Sequence, residues 1–188
     1  NYQVQGILPV PFDAKLISFM PHMHVRGKAY KYELRLPNGE TKPLLDVPQY
    51  DFNWQLQYKL ADFVDAPAGS QLIGTARYDN STNNPANPDP TQRVRWGEQT
   101  YEEMMLGYVE YYVPGAVGTS GSIAEAALRD GSIVFLALDK NRDGKITLDE
   151  TPSPKDFKDA DADADGNVTP DEFREYWKRR TARLLRDR

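Results

Sequence analysis

The chain has 188 residues, room for one medium domain or two small ones, and 39% of them are hydrophobic, adequate for a core but not rich. A net charge of -5 gives no electrostatic footprint for nucleic acid. The absence of cysteine excludes disulfides, thiolate metal sites and cysteine nucleophiles, and no apolar run is long enough to cross a membrane as a helix.

The first 113 residues read as β structure. Leu16 to Met20 fits a short strand. Ala29 to Leu36 alternates, with Tyr30, Tyr32, Leu34 and Leu36 on one face and Lys31, Glu33 and Arg35 on the other. Pro37-Asn38-Gly39-Glu40 follows, and its Asn-Gly pair tolerates the positive φ of a tight hairpin. Further strands are expected over Thr41 to Asp46, Asn53 to Lys59, Ser70 to Asp79 and Met104 to Val113. Many short strands between turn signals predict an antiparallel sandwich. Asp79 to Arg93 interrupts the pattern with four Asn, three Pro and two Asp, and predicts a long loop of the kind that often carries function.

Residues 114–122 hold three glycines and no charge, which predicts a linker. Helical segments are expected over Ile123 to Leu128 and Ile133 to Leu138, and from Asp171 onward, where Phe173, Tyr176 and Trp177 precede a basic end. Two acidic loops lie between. Calcium takes six to eight oxygen ligands, which a 12-residue loop supplies from positions 1, 3, 5, 7, 9 and 12 around a Gly at 6. One loop offers Asp139, Asn141, Asp143, the Lys145 carbonyl, Thr147 and Glu150, turning at Gly144. The other offers Asp161, Asp163, Asp165, the Asn167 carbonyl, Thr169 and Glu172, turning at Gly166. Ile146 and Val168 stand at position 8, where paired loops bridge. The pattern predicts an EF-hand pair holding two calcium ions. Only residues 151–160 separate the loops, and Pro152 and Pro154 shorten any helix there, so the pair is expected to be compact, with Phe157 as its anchor.

The chain has two histidines, His22 and His24. Residues i and i+2 of a strand point to the same side, so two imidazoles converge as a metal site requires. A third ligand must be a carboxylate or a thioether. Of four methionines, Met20 and Met23 flank the histidines and Met104 and Met105 lie together. Thioether sulfur favours copper(I), whereas a carboxylate would favour iron, manganese or zinc.

His22-Met23-His24-Val25-Arg26-Gly27-Lys28 resembles the His-x-His-x-x-Gly-Lys segment of the copper type II, ascorbate-dependent monooxygenases, the family of the peptidylglycine and dopamine β enzymes. Thr100-Tyr101-Glu102-Glu103-Met104 resembles its second motif, an acidic residue followed by a methionine ligand entering a Tyr-rich strand. The resemblance covers roughly residues 1–113 and implies the second, oxygen-activating domain of a two-domain jelly-roll fold. It implies one copper held by His22, His24 and Met104, with Tyr108 at the position of a tyrosine lining the substrate pocket. The three-histidine domain that relays electrons has no counterpart here. Met20 stands where the amidating enzymes carry a carboxylate-binding arginine, and Leu106 where they carry an asparagine, so peptide amidation is not expected. The stretch from Tyr78 to Gly97 resembles the long loop of bacterial members, which are often exported multidomain redox proteins.

The expected architecture is therefore mainly β: a jelly-roll-like antiparallel β-sandwich over 1–113, a linker over 114–122, and a small α-helical EF-hand pair over 123–188. Asn1 is not a natural start, and an electron-donating redox or copper domain is expected ahead of it. The expected function is hydroxylation of C–H bonds in a small-molecule or peptide-like substrate, in the periplasm or outside the cell. The alternative is a non-catalytic copper-binding or structural module with calcium-stabilised EF-hands.

Overall fold

The computed structural model describes residues 2–116 and 123–186. The chain forms two compact units, Asn1–Gly118 and Thr119–Arg188. From residue 117 onward, the linker expected over 114–122 lies outside the described residues.

The first unit is built from strands β1 (Tyr2–Val10), β2 (Ala14–Met23), β3 (Gly27–Arg35), β4 (Thr41–Val47), β5 (Tyr58–Ala66), β6 (Ser70–Tyr78) and β7 (Met105–Tyr112). They form two sheets, ordered β1-β6-β3-β4 and β5-β2-β7, and every pairing is antiparallel. The alternation in β3 sets its inner face: Tyr30, Tyr32 and Leu34 are buried. The β3–β4 hairpin turns at Gly39, whose φ of 87° suits a residue without Cβ, and the Gly39 N–H donates to the Leu36 carbonyl at 2.9 Å. The sheets meet face to face. Phe19 of β2 and Tyr32 of β3 pack with their rings tilted and centroids 4.7 Å apart, and the Tyr32 hydroxyl donates to the Tyr108 carbonyl at 3.3 Å.

Tyr30 is the keystone of this core. Its ring is buried, and burial pushes its phenol up to about 12. A Cβ on Gly74 of β6 or on Gly107 of β7 would lie 2.6 Å from its hydroxyl oxygen. One glycine from each sheet therefore makes room for one tyrosine. Gly6 and Gly74, cross-strand partners in β1 and β6, likewise leave space for the Met105 methyl.

Two strands differ from expectation. Strand β1 was not foreseen, because Gly6 and Pro9 weaken its alternation; it pairs with β6 along its whole length, from Tyr2–Tyr78 to Val10–Ser70. The strand expected over Asn53 to Lys59 instead runs from Tyr58 to Ala66. Trp54 and Leu56, which carried that pattern, sit in a loop with 68% and 44% exposure. Pairing with β2 selects the later segment, although Asp62 and Asp65 break its apolar rhythm.

The second unit contains α1 (Ile123–Arg129), α2 (Ser132–Leu138), α3 (Pro154–Ala160) and α4 (Pro170–Arg186). Phe135, Ile146, Val168, Phe173 and Tyr176 form its core, with Phe157 and Trp177 packed against it. The short α3 starts with Pro154 at a position that needs no N–H, and the Ser153 hydroxyl caps it by accepting from the Asp156 N–H at 3.2 Å. No described helix is long and apolar enough to cross a membrane.

Gly107→Ala should destabilise the sandwich by about 1–3 kcal/mol, since the added methyl meets the Tyr30 hydroxyl in a packed core. Tyr30→Phe in the same chain should recover part of that loss. Chemical denaturation of the four proteins of this cycle measures both effects.

Candidate metal centres

The copper-type residues sit at the end of the three-stranded sheet. Strand β2 carries His22, which pairs with Leu106 of β7, while Met23 pairs with Met105 and Met20 with Tyr108. Met23 is buried, and Met105 approaches Gly6 and Gly74 of the opposite sheet, so both face inward. His22, Met20, Leu106 and Tyr108 therefore take the outer face, where Leu106 is 37% and Tyr108 49% exposed. Met104 has the parity of Leu106 and Tyr108. The register, continued one step beyond the last paired residues, sets it opposite His24.

Both imidazoles are held through Nδ1. His22 Nδ1 lies 2.5 Å from the Gln55 side-chain oxygen, and the Gln55 amide nitrogen donates to the Phe52 carbonyl at 2.7 Å. With its N–H groups turned to Phe52, Gln55 presents an acceptor, so the proton is on His22 Nδ1. His24 Nδ1 lies 3.3 Å from the Glu102 carbonyl, which can only accept, so His24 also carries its proton there. With Nδ1 engaged in this way, Nε2 is the nitrogen of each ring left for a metal. The rings stand edge to face with centroids 5.4 Å apart, and His24 is buried. Among the described residues no carboxylate joins the two histidines in a cluster of metal-binding geometry.

The surrounding backbone is tied down. The Tyr50 hydroxyl accepts from the Met23 N–H at 3.0 Å and donates to the Met23 carbonyl at 2.7 Å, between the two histidines. The Tyr78 hydroxyl donates to the Met104 carbonyl at 2.8 Å. Met104 also borders an open cleft of about 520 Å³ shared with Tyr2, Tyr78, Arg93, Trp96 and Glu103. Burial pushes the Glu103 carboxyl up to about 7, despite Arg26 Nη1 at 3.9 Å, and its second oxygen is buried without a hydrogen bond. Sequence reasoning missed Gln55, Tyr50 and the Glu102 carbonyl. Nothing in their spacing announces them, because they reach the histidines only through the fold.

In the second unit the two loops are near copies. Gly144 and Gly166 take φ of 85° and 84°, and Arg142 and Ala164, two residues earlier in each loop, both take 60°. Ile146 and Val168 exchange N–H···O bonds of 2.9 and 2.8 Å. Glu150 accepts from the Lys140, Asn141 and Thr147 N–H groups, and Glu172 from those of Ala162 and Thr169. These bonds fix the closing carboxylates against each loop. Asp139 is buried, and burial raises its carboxyl even though the Gly144 N–H donates to it. Asp161, Asp163 and Asp165 bring ligand oxygens within 4.8 Å of one another, and the Asp161 Oδ1 is buried with no hydrogen-bond partner. An orphaned carboxylate oxygen inside a ring of carboxylates is the place for a hard cation.

A model of the copper type II ascorbate-dependent monooxygenase C-terminal domain matches residues 5–126. The chain belongs to that family. An EF-hand model matches residues 129–151 and 155–175, so this family member carries a calcium-binding EF-hand module beside its copper-type domain. No curated protein matches the chain.

Calcium should raise the melting temperature of the EF-hand module by differential scanning calorimetry against chelator. The gain at a hundredfold excess over Kd is about 2.7 kcal/mol. Glu150→Gln and Glu172→Gln should each reduce it. A second expectation concerns Glu103 in metal-free protein. Its folded value lies above the ordinary 4.5, so between these limits the native state binds more protons than the unfolded one. Stability should fall as pH rises from about 4.5 to about 7, and Glu103→Gln should flatten that slope in denaturant titrations.

Proposed function

We propose that the sandwich is the oxygen-activating copper domain of an exported bacterial redox protein, hydroxylating C–H bonds when an electron-donating domain or reductant is supplied. The observation that carries this reading is the paired presentation of His22 and His24. Both Nδ1 atoms are engaged, both Nε2 atoms are left, and Met105 turns inward, so that Met104, one residue before β7, continues the parity of the outward residues Leu106 and Tyr108.

In this reading His22, His24 and Met104 hold one copper ion, which supplies one-electron chemistry toward oxygen. Gln55 and the Glu102 carbonyl hold the imidazoles in the tautomer that ligation needs. Tyr108, half-exposed on the same sheet face, contacts the substrate, with Leu106 and Met20 as apolar neighbours. Hydroxylation consumes oxygen, two electrons and two protons with the C–H bond, and releases the alcohol and water. One copper passes one electron at a time, so a second donor is required: ascorbate, or a redox or copper domain N-terminal to this segment. The apolar face favours a substrate with little charge near the reacting carbon.

The EF-hand module binds two calcium ions in this proposal. The first takes Asp139, Asn141, Asp143, Lys145 carbonyl, Thr147 and Glu150; the second takes Asp161, Asp163, Asp165, Asn167 carbonyl, Thr169 and Glu172. A calcium-rich periplasmic or extracellular setting suits such loops. A non-catalytic copper-binding module is the second reading. It is favoured by Met20 and Leu106, which stand where the amidating enzymes carry a carboxylate-binding arginine and an asparagine.

Metal analysis should give one copper per chain, lost in His22→Ala. Met104→Ile should weaken copper(I) far more than copper(II), because the thioether is the soft ligand. Met105→Ile should lower stability without that redox preference. Copper retained by His22→Ala would place the site elsewhere. Oxygen consumption with ascorbate and added substrates separates the enzyme from the binding module.

A further inference from the structure

The largest side chain buried in the first unit is not apolar. Arg26 is 2% exposed and sits in the turn between β2 and β3, two residues after His24. The Gly27 N–H donates to the His24 carbonyl at 2.8 Å, closing that turn. A Cβ on Gly27 would lie 2.7 Å from the Met23 Cβ, so the turn admits only glycine there without displacement.

A buried guanidinium must have its N–H groups satisfied. Arg26 Nε donates to Asn80 Oδ1 and Asn87 Oδ1, both at 2.9 Å. Its Nη1 donates to the Tyr101 carbonyl at 2.6 Å and lies 3.9 Å from Glu103. The first two acceptors belong to the Asn-rich loop, which is knitted around them. Asn87 donates to Asn80 Oδ1 at 3.0 Å, and Asn80 donates to the Gln92 carbonyl at 3.0 Å. The third acceptor immediately precedes Glu102, whose carbonyl holds His24, and lies three residues before Met104. The Asp79 N–H closes the circuit by donating to the Arg26 carbonyl at 2.9 Å.

We propose that Arg26 is a positioning residue for the copper site: its guanidinium pins the segment 101–104 to the histidine turn and thereby sets Met104 against His24. The inference rests on the reading of His22, His24 and Met104 as ligands. It gives the loop from Asp79 to Arg93 a task, which is to wall Arg26 from water and to supply two of its acceptors. Lysine cannot replace the fork, because one ammonium on a flexible stem does not reach the asparagine pair and the Tyr101 carbonyl in fixed geometry.

The test is Arg26→Lys in the full chain, read by copper(I) and copper(II) competition titrations and by X-ray absorption for sulfur in the copper(I) shell. The expected result is a copper(I) affinity lower by about 10–100-fold, the range for residues that orient metal ligands. The sulfur signal should be lost and copper(II) affinity unchanged. In a Met104→Ile background the same substitution should cost little more, because both changes act through one ligand. Equal losses for the two oxidation states, or a retained sulfur signal, overturns the proposal and leaves Arg26 a loop anchor. A wild-type protein lacking copper, or lacking the sulfur signal, overturns the ligand reading and this inference together. Should Arg26→Lys fail to fold, Asn87→Ala removes one acceptor and keeps the cation. A smaller loss confined to copper(I) then supports the proposal, and no selective loss overturns it.

Discussion

Antiparallel pairing of β2 with β7 is the constraint on which the copper-type site depends. It brings the histidine strand beside the methionine strand and decides which side each residue faces. Because strand parity is strict, a slip of one residue would turn the Met105 thioether from the inner face to the outer one. The register is protected from the inside. Met23 and Met105 are cross-strand partners that face the opposite sheet, where Gly6 and Gly74 leave the Met105 methyl its space. Tyr30, fitted between Gly74 and Gly107, adds a second lock on the same strand. Core packing thus fixes strand register, since sliding β7 would bring a residue with a Cβ against the Tyr30 hydroxyl.

The two metal-type centres handle charge in opposite ways. At the histidines the candidate donors are imidazoles whose Nδ1 atoms are engaged by Gln55 and by the Glu102 carbonyl, which leaves Nε2 of each ring. In the EF-hand loops the donors are mostly carboxylates crowded together, and backbone N–H groups share part of their charge before any ion arrives. An imidazole pair and hard clustered oxygen give one chain two kinds of candidate metal donor without cysteine.

Much of the site was legible from residue types and spacing. The histidine pair at i and i+2, the alternation that buries Tyr30, Tyr32 and Leu34, and the calcium loops all follow from local rules, and the resemblance to the copper type II monooxygenases rests on two short motifs. The supporting residues were not legible. Gln55 fell inside a segment that looked like a strand because Trp54, Leu56 and Tyr58 alternate; in the structure Trp54 and Leu56 are exposed and Gln55 faces His22. Alternation reports a tendency to be half-buried, and pairing with a distant strand decides whether that tendency is used.

The sequence by itself determined the candidate histidine pair, the hairpin at Asn38-Gly39, the duplicated calcium loops and the mainly β character of the first unit, because each depends on neighbours a few residues apart. Only the tertiary structure decided that Met105 faces inward, which nitrogen of each histidine is hydrogen-bonded, and how Arg26 can be buried. Those outcomes depend on partners such as Gln55, Glu102, Asn80 and Asn87, whose nearness to the histidine turn is a product of strand order and loop folding rather than of chain distance.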